Sequence, residues 1–214
     1  MSNKNKLYIS TFSLILFTVW TILLNFVDKK PIGPNSSQVG FATLNELFHS
    51  LTGVNMALYT ITDWLGLVPI FVGFGFTVFG LYQWIQRKSI LKVDFSLLAL
   101  GIFYIIVLIC YILFEYIVIN RRPVLIDGFL EASYPSSTTL LVTTVMPTAL
   151  IQFNKRIKNK FFRCIVAFLI IVFLVLMVIG RLVSGVHWLT DIIGGLLLSI
   201  GLISLYRFII DYKF

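Results

Sequence analysis

Three residues in the last quarter of the chain have the types and the spacing of a phosphoryl-transfer site. His187 and Asp191 are four residues apart, so on a helix they would share one face. Asp191 could then accept the proton of one imidazole nitrogen and leave the other nitrogen free as a nucleophile. Arg181, six residues before His187, adds a fixed positive charge with a planar fork suited to phosphate oxygens. The segment therefore predicts attack on a phosphoryl group.

Two further segments hold residues suited to binding an anion. Arg122 precedes Pro123, and Glu131–Thr139 (EASYPSSTT) leads into an apolar run. A proline followed by hydroxyl residues predicts a helix start, where free backbone N–H groups and the positive helix end attract anions. Ser136 and Ser137 either add hydroxyl donors to this anion site or serve only as helix caps.

The composition is that of an integral membrane protein. Of 214 residues, 58% are hydrophobic and 12% are charged, and the mean hydropathy is +0.96. A soluble domain usually carries about twice that charged fraction. The formal net charge of +8 could indicate nucleic acid binding, but the basic residues lie in short loops between apolar runs. That pattern is typical of membrane orientation, so we expect membrane lipids and no nucleic acid as partners.

Six apolar runs are long enough to cross a bilayer as helices, which requires about 20 residues. They are Leu7–Phe26, Trp64–Gln86, Phe95–Phe114, Ala132–Asn154, Cys164–Gly180 and a run from about Trp188 to Ile210. The long connection between the first two predicts an amphipathic helix from about Thr43. The expected fold class is an all-α membrane protein with six transmembrane helices and an outer interfacial helix between the first and second spans. We expect a single domain over residues 1–214.

The basic residues divide unevenly between the two ends of these helices. Twelve of the seventeen lie at one end: Lys4, Lys6, Arg87, Lys88, Lys92, Lys155, Arg156, Lys158, Lys160, Arg163, Arg207 and Lys213. The positive-inside rule then predicts both termini in the cytoplasm and the phosphate chemistry on the external face. The membrane is expected to be the plasma membrane.

In these motifs the chain resembles the type 2 phosphatidic acid phosphatase superfamily, which also contains the vanadium haloperoxidases. The family signature is Lys, six residues and Arg-Pro, then Pro-Ser-Gly-His, and finally Ser-Arg, five residues, His, three residues and Asp. The matching residues, in order and in local spacing, are Arg122-Pro123, Pro135-Ser136, Arg181, His187 and Asp191. The close resemblance covers about residues 115–195.

The resemblance implies a role for each matching side chain. His187 would form a phosphohistidine, Asp191 would orient it, and Arg122 and Arg181 would bind phosphate, with no metal and no cofactor. The substrate would be a lipid-linked phosphate.

Four positions depart from that signature. The lysine is replaced by Glu115, the glycine by Ser137, the second-motif histidine by Thr138 and the last motif's serine by Gly180. The missing histidine is the family's general acid, and a threonine hydroxyl is too weak an acid at neutral pH. Because general acid catalysis is typically worth about 10²–10⁴-fold, we expect a large penalty for an alcohol leaving group.

The protein could turn over substrate without this histidine in two ways. Glu131 could act as a surrogate acid if burial kept its carboxyl protonated. Alternatively, the leaving group needs little protonation. A lipid alkoxide is a strong base and a poor leaving group, whereas a phosphate expelled from a pyrophosphate has a relevant pKa of about 6. The second solution predicts a preference for lipid pyrophosphates. Glu115 is expected to pair with Arg121 or Arg122 and hold the loop in place.

The preferred interpretation is a phosphatase for a lipid phosphate or pyrophosphate, and the resemblance suggests undecaprenyl pyrophosphate and phosphatidylglycerol phosphate as substrates. One alternative is a lipid-phosphate-binding protein that has lost turnover, which Thr138 and Glu115 favour. Another is a transferase that moves a phosphoryl or head group to an alcohol acceptor through the same histidine.

Overall fold

The computed structural model describes residues 2–212, and the expected all-α architecture is confirmed. The helices are α1 (Asn3–Phe26), α2 (Ala42–Thr52), α3 (Met56–Leu65), α4 (Leu67–Arg87), α5 (Phe95–Tyr116), α6 (Ser137–Arg156), α7 (Lys160–Val183) and α8 (Leu189–Asp211). Short 3₁₀ turns lie at Pro34–Ser36 and Ile90–Lys92. Within residues 2–212 the only β-type pairings are isolated bridges. Lys213, assigned above to the cytoplasmic end, lies outside the described residues.

Five helical segments are long and apolar enough to cross a membrane, so this is a multi-pass membrane protein. They are Asn3–Phe26, Met56–Arg87, Phe95–Tyr116, Lys160–Val183 and Leu189–Asp211. The expected fourth span is also a helix, the 20-residue α6, but it is not among these five. Five threonines in α6 lower its mean hydropathy below that of the other helices.

The polar side chains of α6 are used inside the bundle. This helix is buried along most of its length and contacts α4, α5, α7 and α8. Thr143 donates to the carbonyl of Thr139 at 2.6 Å, and its hydroxyl also bonds to Ser199 of α8 at 2.6 Å. The hydroxyl groups of Thr148 and Tyr104 of α5 are 3.2 Å apart. These hydroxyls are satisfied by backbone and neighbouring helices, which permits their burial.

Helices α1 and α8 pack side by side in opposite directions. At one end Lys6 forms an ion pair with Asp211 at 2.7 Å, and toward the other Trp20 donates to the carbonyl of Thr190 at 3.2 Å. The two ends of the described chain therefore lie at the same end of the bundle. The 23 residues of α8 span about 34 Å at 1.5 Å per residue, so Asp191 in its first turn lies at the opposite end.

The connection after α1 contains one helix more than the sequence analysis predicted. Helix α2 begins at Ala42, close to the expected start. Helix α3 was not predicted, and it continues into α4 because Gly66 keeps right-handed helical angles (φ −60°, ψ −18°). The second span was expected to begin at Trp64, and that boundary was wrong. Asp63 and two nearby threonines interrupt the apolar run without interrupting the helix, which begins at Met56.

The loop between α5 and α6 folds back on itself and sets Arg122 beside Glu131. The backbone N–H of Arg122 donates to the carbonyl of Glu131 at 3.1 Å, and Arg122 Nε lies 3.1 Å from Glu131 Oε2. The expected pairing of Glu115 with Arg121 or Arg122 was therefore wrong. Arg121 instead donates to a backbone carbonyl of its own loop at 2.8 Å. The fold-back supplies Arg122 with a nearer carboxylate, while Glu115 stays in the last turn of α5.

Candidate active site

His187 lies in the turn between α7 and α8, just before α8 begins at Leu189. The expectation that His187 and Asp191 share a helix face was wrong for this reason. The imidazole is buried, with 3% of the residue exposed, and its Nε2 is 3.3 Å from Nη2 of Arg181. Its Nδ1 is 3.8 Å from the nearest oxygen of Asp191, which is too far for a direct hydrogen bond.

Ser133 closes the gap between the imidazole and the carboxylate. Its hydroxyl oxygen is 3.1 Å from His187 Nδ1 and is hydrogen-bonded to Asp191 Oδ2. An ionised carboxylate only accepts hydrogen bonds, so Ser133 donates to Asp191 and accepts from Nδ1–H of His187. The same Asp191 oxygen accepts the backbone N–H of Trp188 at 2.9 Å. This chain of bonds selects the tautomer in which Nε2 is unprotonated.

The surroundings of His187 also keep its ring neutral. Burial, followed by the positive charges of Arg122 and Arg181, lowers the pKa of His187 well below its usual value of 6.5. The neutral imidazole is the form in which Nε2 has a free electron pair. A buried, neutral and oriented imidazole is suited to nucleophilic attack.

Arg122 and Arg181 meet at the ring of Tyr59 in α3. The guanidinium carbon of Arg122 is 5.8 Å from the ring centroid, and that of Arg181 is 4.9 Å from it. Each cation is attracted to the ring, but the two like charges repel each other. An anion between them would relieve that repulsion. Tyr59 was not singled out from the sequence, because it lies in the helix that was not predicted.

Three donor nitrogens of these arginines are buried and have no hydrogen-bond acceptor in the described part of the chain. They are Nε of Arg181 and both Nε and Nη1 of Arg122, whose ion pair with Glu131 lacks hydrogen-bond geometry. The terminal nitrogens of Arg181 contact Asp63 at 3.4 Å and His187. Buried donors normally have acceptors, so this arrangement fits an oxyanion such as phosphate.

The two serines at the start of α6 have different surroundings. Ser136 is fully buried and caps the helix, because its hydroxyl accepts the N–H of Thr139 at 3.5 Å and the hydroxyl of Thr139 at 3.0 Å. Its own N–H donates to the carbonyl of Asp191 at 3.1 Å. Ser137 is half-buried and lines a cavity of about 10 Å³ together with Ser133 and His187. Ser137 therefore shares a cavity with His187, whereas the Ser136 hydroxyl is used as a helix cap.

Glu131, Glu115 and Thr138, the residues considered in connection with the missing acid, have different surroundings. The Glu131 side chain is 43% exposed and paired with Arg122, so it lacks the burial on which its role as an acid depended. Glu115 is exposed at the rim of the cavity beside His187 and forms no ion pair within residues 2–212. Thr138 is buried against Gly66, at the junction of α3 and α4. Within residues 2–212 no cluster of three or more His, Cys, Asp or Glu side chains could hold a metal ion.

Comparison with known proteins gives a family assignment. Residues 117–214 match the PAP2 superfamily. This segment contains the residues of all three motifs: Arg122, Ser136, Ser137, Arg181, His187 and Asp191. Over this segment the chain belongs to the PAP2 superfamily. The resemblance drawn from the motifs is thereby confirmed, and Glu115, at the position of the signature lysine, lies just before the matched segment. No protein of curated function is a significant match to the sequence.

The fold is also similar to a solved membrane PAP2 structure. The crystal structure of a transmembrane PAP2-type phosphatidylglycerolphosphate phosphatase from Bacillus subtilis matches with a TM-score of 0.63. The match covers 94% of each chain, and 21% of the residues are identical. At this identity the likeness establishes the shared fold, and PAP2 membership supports a phosphatase-type function.

Proposed function

We propose that this PAP2 protein is a phosphatase for a lipid-linked phosphate or pyrophosphate and acts through a phosphohistidine at His187. One observation carries the proposal. The nucleophilic nitrogen Nε2 of a buried imidazole faces Arg181, within a site where two arginines share Tyr59 and present buried N–H groups without acceptors. A phosphoryl group bound by these arginines would have its phosphorus within reach of Nε2.

In the first step Nε2 of His187 attacks phosphorus, and the bond from phosphorus to the leaving oxygen breaks. The leaving group departs with the electron pair of that bond. The imidazole gains positive charge, which Asp191 stabilises through the hydroxyl of Ser133. Arg122 and Arg181 balance the charge of the phosphoryl oxygens, and Ser137 with the first N–H groups of α6 adds donors. Water then hydrolyses the phosphohistidine.

The preferred leaving group is a phosphate rather than an alcohol. Thr138 occupies the position of the signature histidine and cannot protonate a leaving oxygen, and Glu131 is held by Arg122. A lipid phosphate leaving from a pyrophosphate needs little protonation, since its relevant pKa is about 6. We therefore favour a polyprenyl pyrophosphate such as undecaprenyl pyrophosphate over phosphatidic acid or phosphatidylglycerol phosphate.

The proposed orientation places the site on the external face of the plasma membrane. It has six spans, counting α6, with α2 along the outer interface and both termini in the cytoplasm. The end of the bundle where Lys6 pairs with Asp211 carries most of the basic residues. The positive-inside rule assigns that end to the cytoplasm. The site lies at the other end, about one bilayer thickness away.

Phosphate release by the full-length protein in detergent micelles tests the function. The substrates are undecaprenyl pyrophosphate, phosphatidylglycerol phosphate and phosphatidic acid, and the variants are His187→Ala and, as a matched control, His49→Gln. We expect release from the pyrophosphate to be at least about 100-fold faster than from the monoesters, to vanish in His187→Ala and to persist in His49→Gln. Equal rates on all three lipids would rule out the leaving-group preference.

The same experiment separates the alternatives. A binding protein without turnover would release no phosphate and yet bind the lipid, with affinity that falls in Arg122→Ala and Arg181→Ala. A transferase would form a phosphorylated or head-group-exchanged alcohol when an alcohol acceptor is added. Acid-labile label on His187 after mixing with substrate labelled in its terminal phosphate would support either enzyme over the binding protein.

A further inference from the structure

Helix α3 packs against two positions where the chain departs from the family signature. A Cβ atom at Gly180 would lie 2.7 Å from Cγ2 of Thr62, so a serine there would force α3 away from α7. On the other side, Cγ2 of Thr138 lies 3.3 Å from where a Cβ of Gly66 would be. Gly180 leaves space for α3 to pack closely on α7, and Thr138 lies against the end of α3 at Gly66.

This approach brings a carboxylate to the arginine that faces the nucleophile. Asp63 Oδ1 is 3.4 Å from Nη1 of Arg181, and Nη2 of the same guanidinium is 3.3 Å from Nε2 of His187. The side chain of Asp63 is 56% exposed, whereas that of Arg181 is 1% exposed. Asp63 therefore stands between the buried phosphate ligands and water.

We propose that Asp63 is the general base that activates water for hydrolysis of the phosphohistidine, an inference that rests on the function proposed above. The water oxygen bonds to phosphorus while one of its protons passes to a carboxylate oxygen of Asp63. The bond between phosphorus and Nε2 of His187 breaks, and its electron pair stays on Nε2. Inorganic phosphate leaves, and Asp63 releases the proton to solvent.

The position and charge of Asp63 suit a base better than an acid. The exposed carboxylate of Asp63 lies at the edge of the buried site, beside the guanidinium that contacts His187, so it can reach a water molecule and pass a proton on to solvent. The first step needs no strong acid if the leaving group is a phosphate. The second step needs a base, which Thr138 cannot supply. Glu131 is the comparable carboxylate on the other arginine. Within residues 2–212, however, Arg122 forms no hydrogen bond with His187, whereas Arg181 does.

The test compares Asp63→Asn with the wild type in the full-length protein, using undecaprenyl pyrophosphate labelled in its terminal phosphate and rapid quenching. Asparagine keeps an oxygen that can accept from Arg181, so the contact between α3 and Arg181 is preserved. Glu46→Gln, an exposed acid on α2, is the matched control. Asp63→Glu tests for retention of function by another carboxylate.

We expect Asp63→Asn to release undecaprenyl phosphate in a burst stoichiometric with enzyme, at a rate comparable to the wild type. Steady-state turnover should then fall by about 100-fold or more, and acid-labile label should accumulate on the protein. Asp63→Glu should keep most of the turnover, and Glu46→Gln should match the wild type.

Unchanged turnover in Asp63→Asn would overturn the assignment. A loss of turnover without accumulated label would overturn it too, because Asp63 would then act before the intermediate forms. A different result would refute the proposed function itself. If His187→Ala keeps full activity, or the wild type releases no phosphate from any lipid, no phosphohistidine exists for Asp63 to act on.

Discussion

The hydroxyl of Ser133 lies 3.1 Å from Nδ1 of His187 and occupies the place that a carboxylate was expected to take. Asp191 is the next group along, hydrogen-bonded to the same hydroxyl and to the backbone N–H of Trp188. A fully buried carboxylate needs such partners. Asp191 therefore serves two tasks at once, since it caps the start of α8 and fixes the imidazole through Ser133.

Ser133→Ala should lower the rate of phosphohistidine formation. Removing the hydroxyl leaves Nδ1–H of His187 without its acceptor, and hydrogen bonds to charged groups contribute about 1.5–3 kcal/mol, or about 10–150-fold in rate. Because Ser133 lies on the side of the ring away from Arg181, kcat should fall with little change in KM. The control is Ser199→Ala, which removes a buried hydroxyl between α6 and α8. Equal rates in wild type and Ser133→Ala would show that Asp191 does not act through this bridge.

His187 should remain neutral at pH values where an ordinary histidine is protonated. Burial and the charges of Arg122 and Arg181 lower its pKa, so its nucleophilic form persists as the pH falls below 6.5. The measurement is an imidazole ¹⁵N titration of the His49→Gln variant in micelles, where His187 is the remaining histidine. A midpoint at or above pH 6.5 would contradict the predicted environment.

Thr138→His should restore the family's proton donor and change substrate preference. Thr138 faces Gly66, which presents no side chain toward it. We expect turnover of phosphatidic acid to rise by about 100-fold, with a much smaller rise for undecaprenyl pyrophosphate, because only the alcohol leaving group needs the proton. Thr138→Gln is the control for side-chain size. No rise in monoester turnover would mean that another group already protonates the leaving oxygen.

Gly180→Ser should disturb the position of α3, although it restores the residue of the family signature. The new Cβ would lie 2.7 Å from Cγ2 of Thr62, and overpacking of this kind costs about 1–3 kcal/mol. We expect a lower thermal unfolding midpoint in micelles and reduced turnover. Adding Thr62→Ser removes the colliding methyl group, keeps the hydroxyl and should restore both. Wild-type stability and turnover of the single variant would show that the contact between α3 and α7 can accommodate a serine side chain.

Much of the helical plan could be predicted from the sequence. Lengths of apolar runs depend on neighbouring residues alone. Five of the six expected spans therefore coincide with long apolar helices, and the remaining one, the expected fourth span, coincides with α6. The order and spacing of the Arg-Pro, Pro-Ser and Arg-His-Asp motifs were sufficient to identify the family. Helix α3 was missed because Asp63 and its neighbouring threonines looked like the end of a loop.

The types and order of the candidate site residues could therefore be predicted from sequence alone, since motif spacing and apolar periodicity are local properties of the chain. Their partners were decided by tertiary structure. Ser133 comes between His187 and Asp191 because the loop before α6 folds over the start of α8. Tyr59 and Asp63 reach the arginines because α3 packs closely on α7 at Gly180. Such contacts join residues more than fifty positions apart, and only the packing of helices sets their distances and directions.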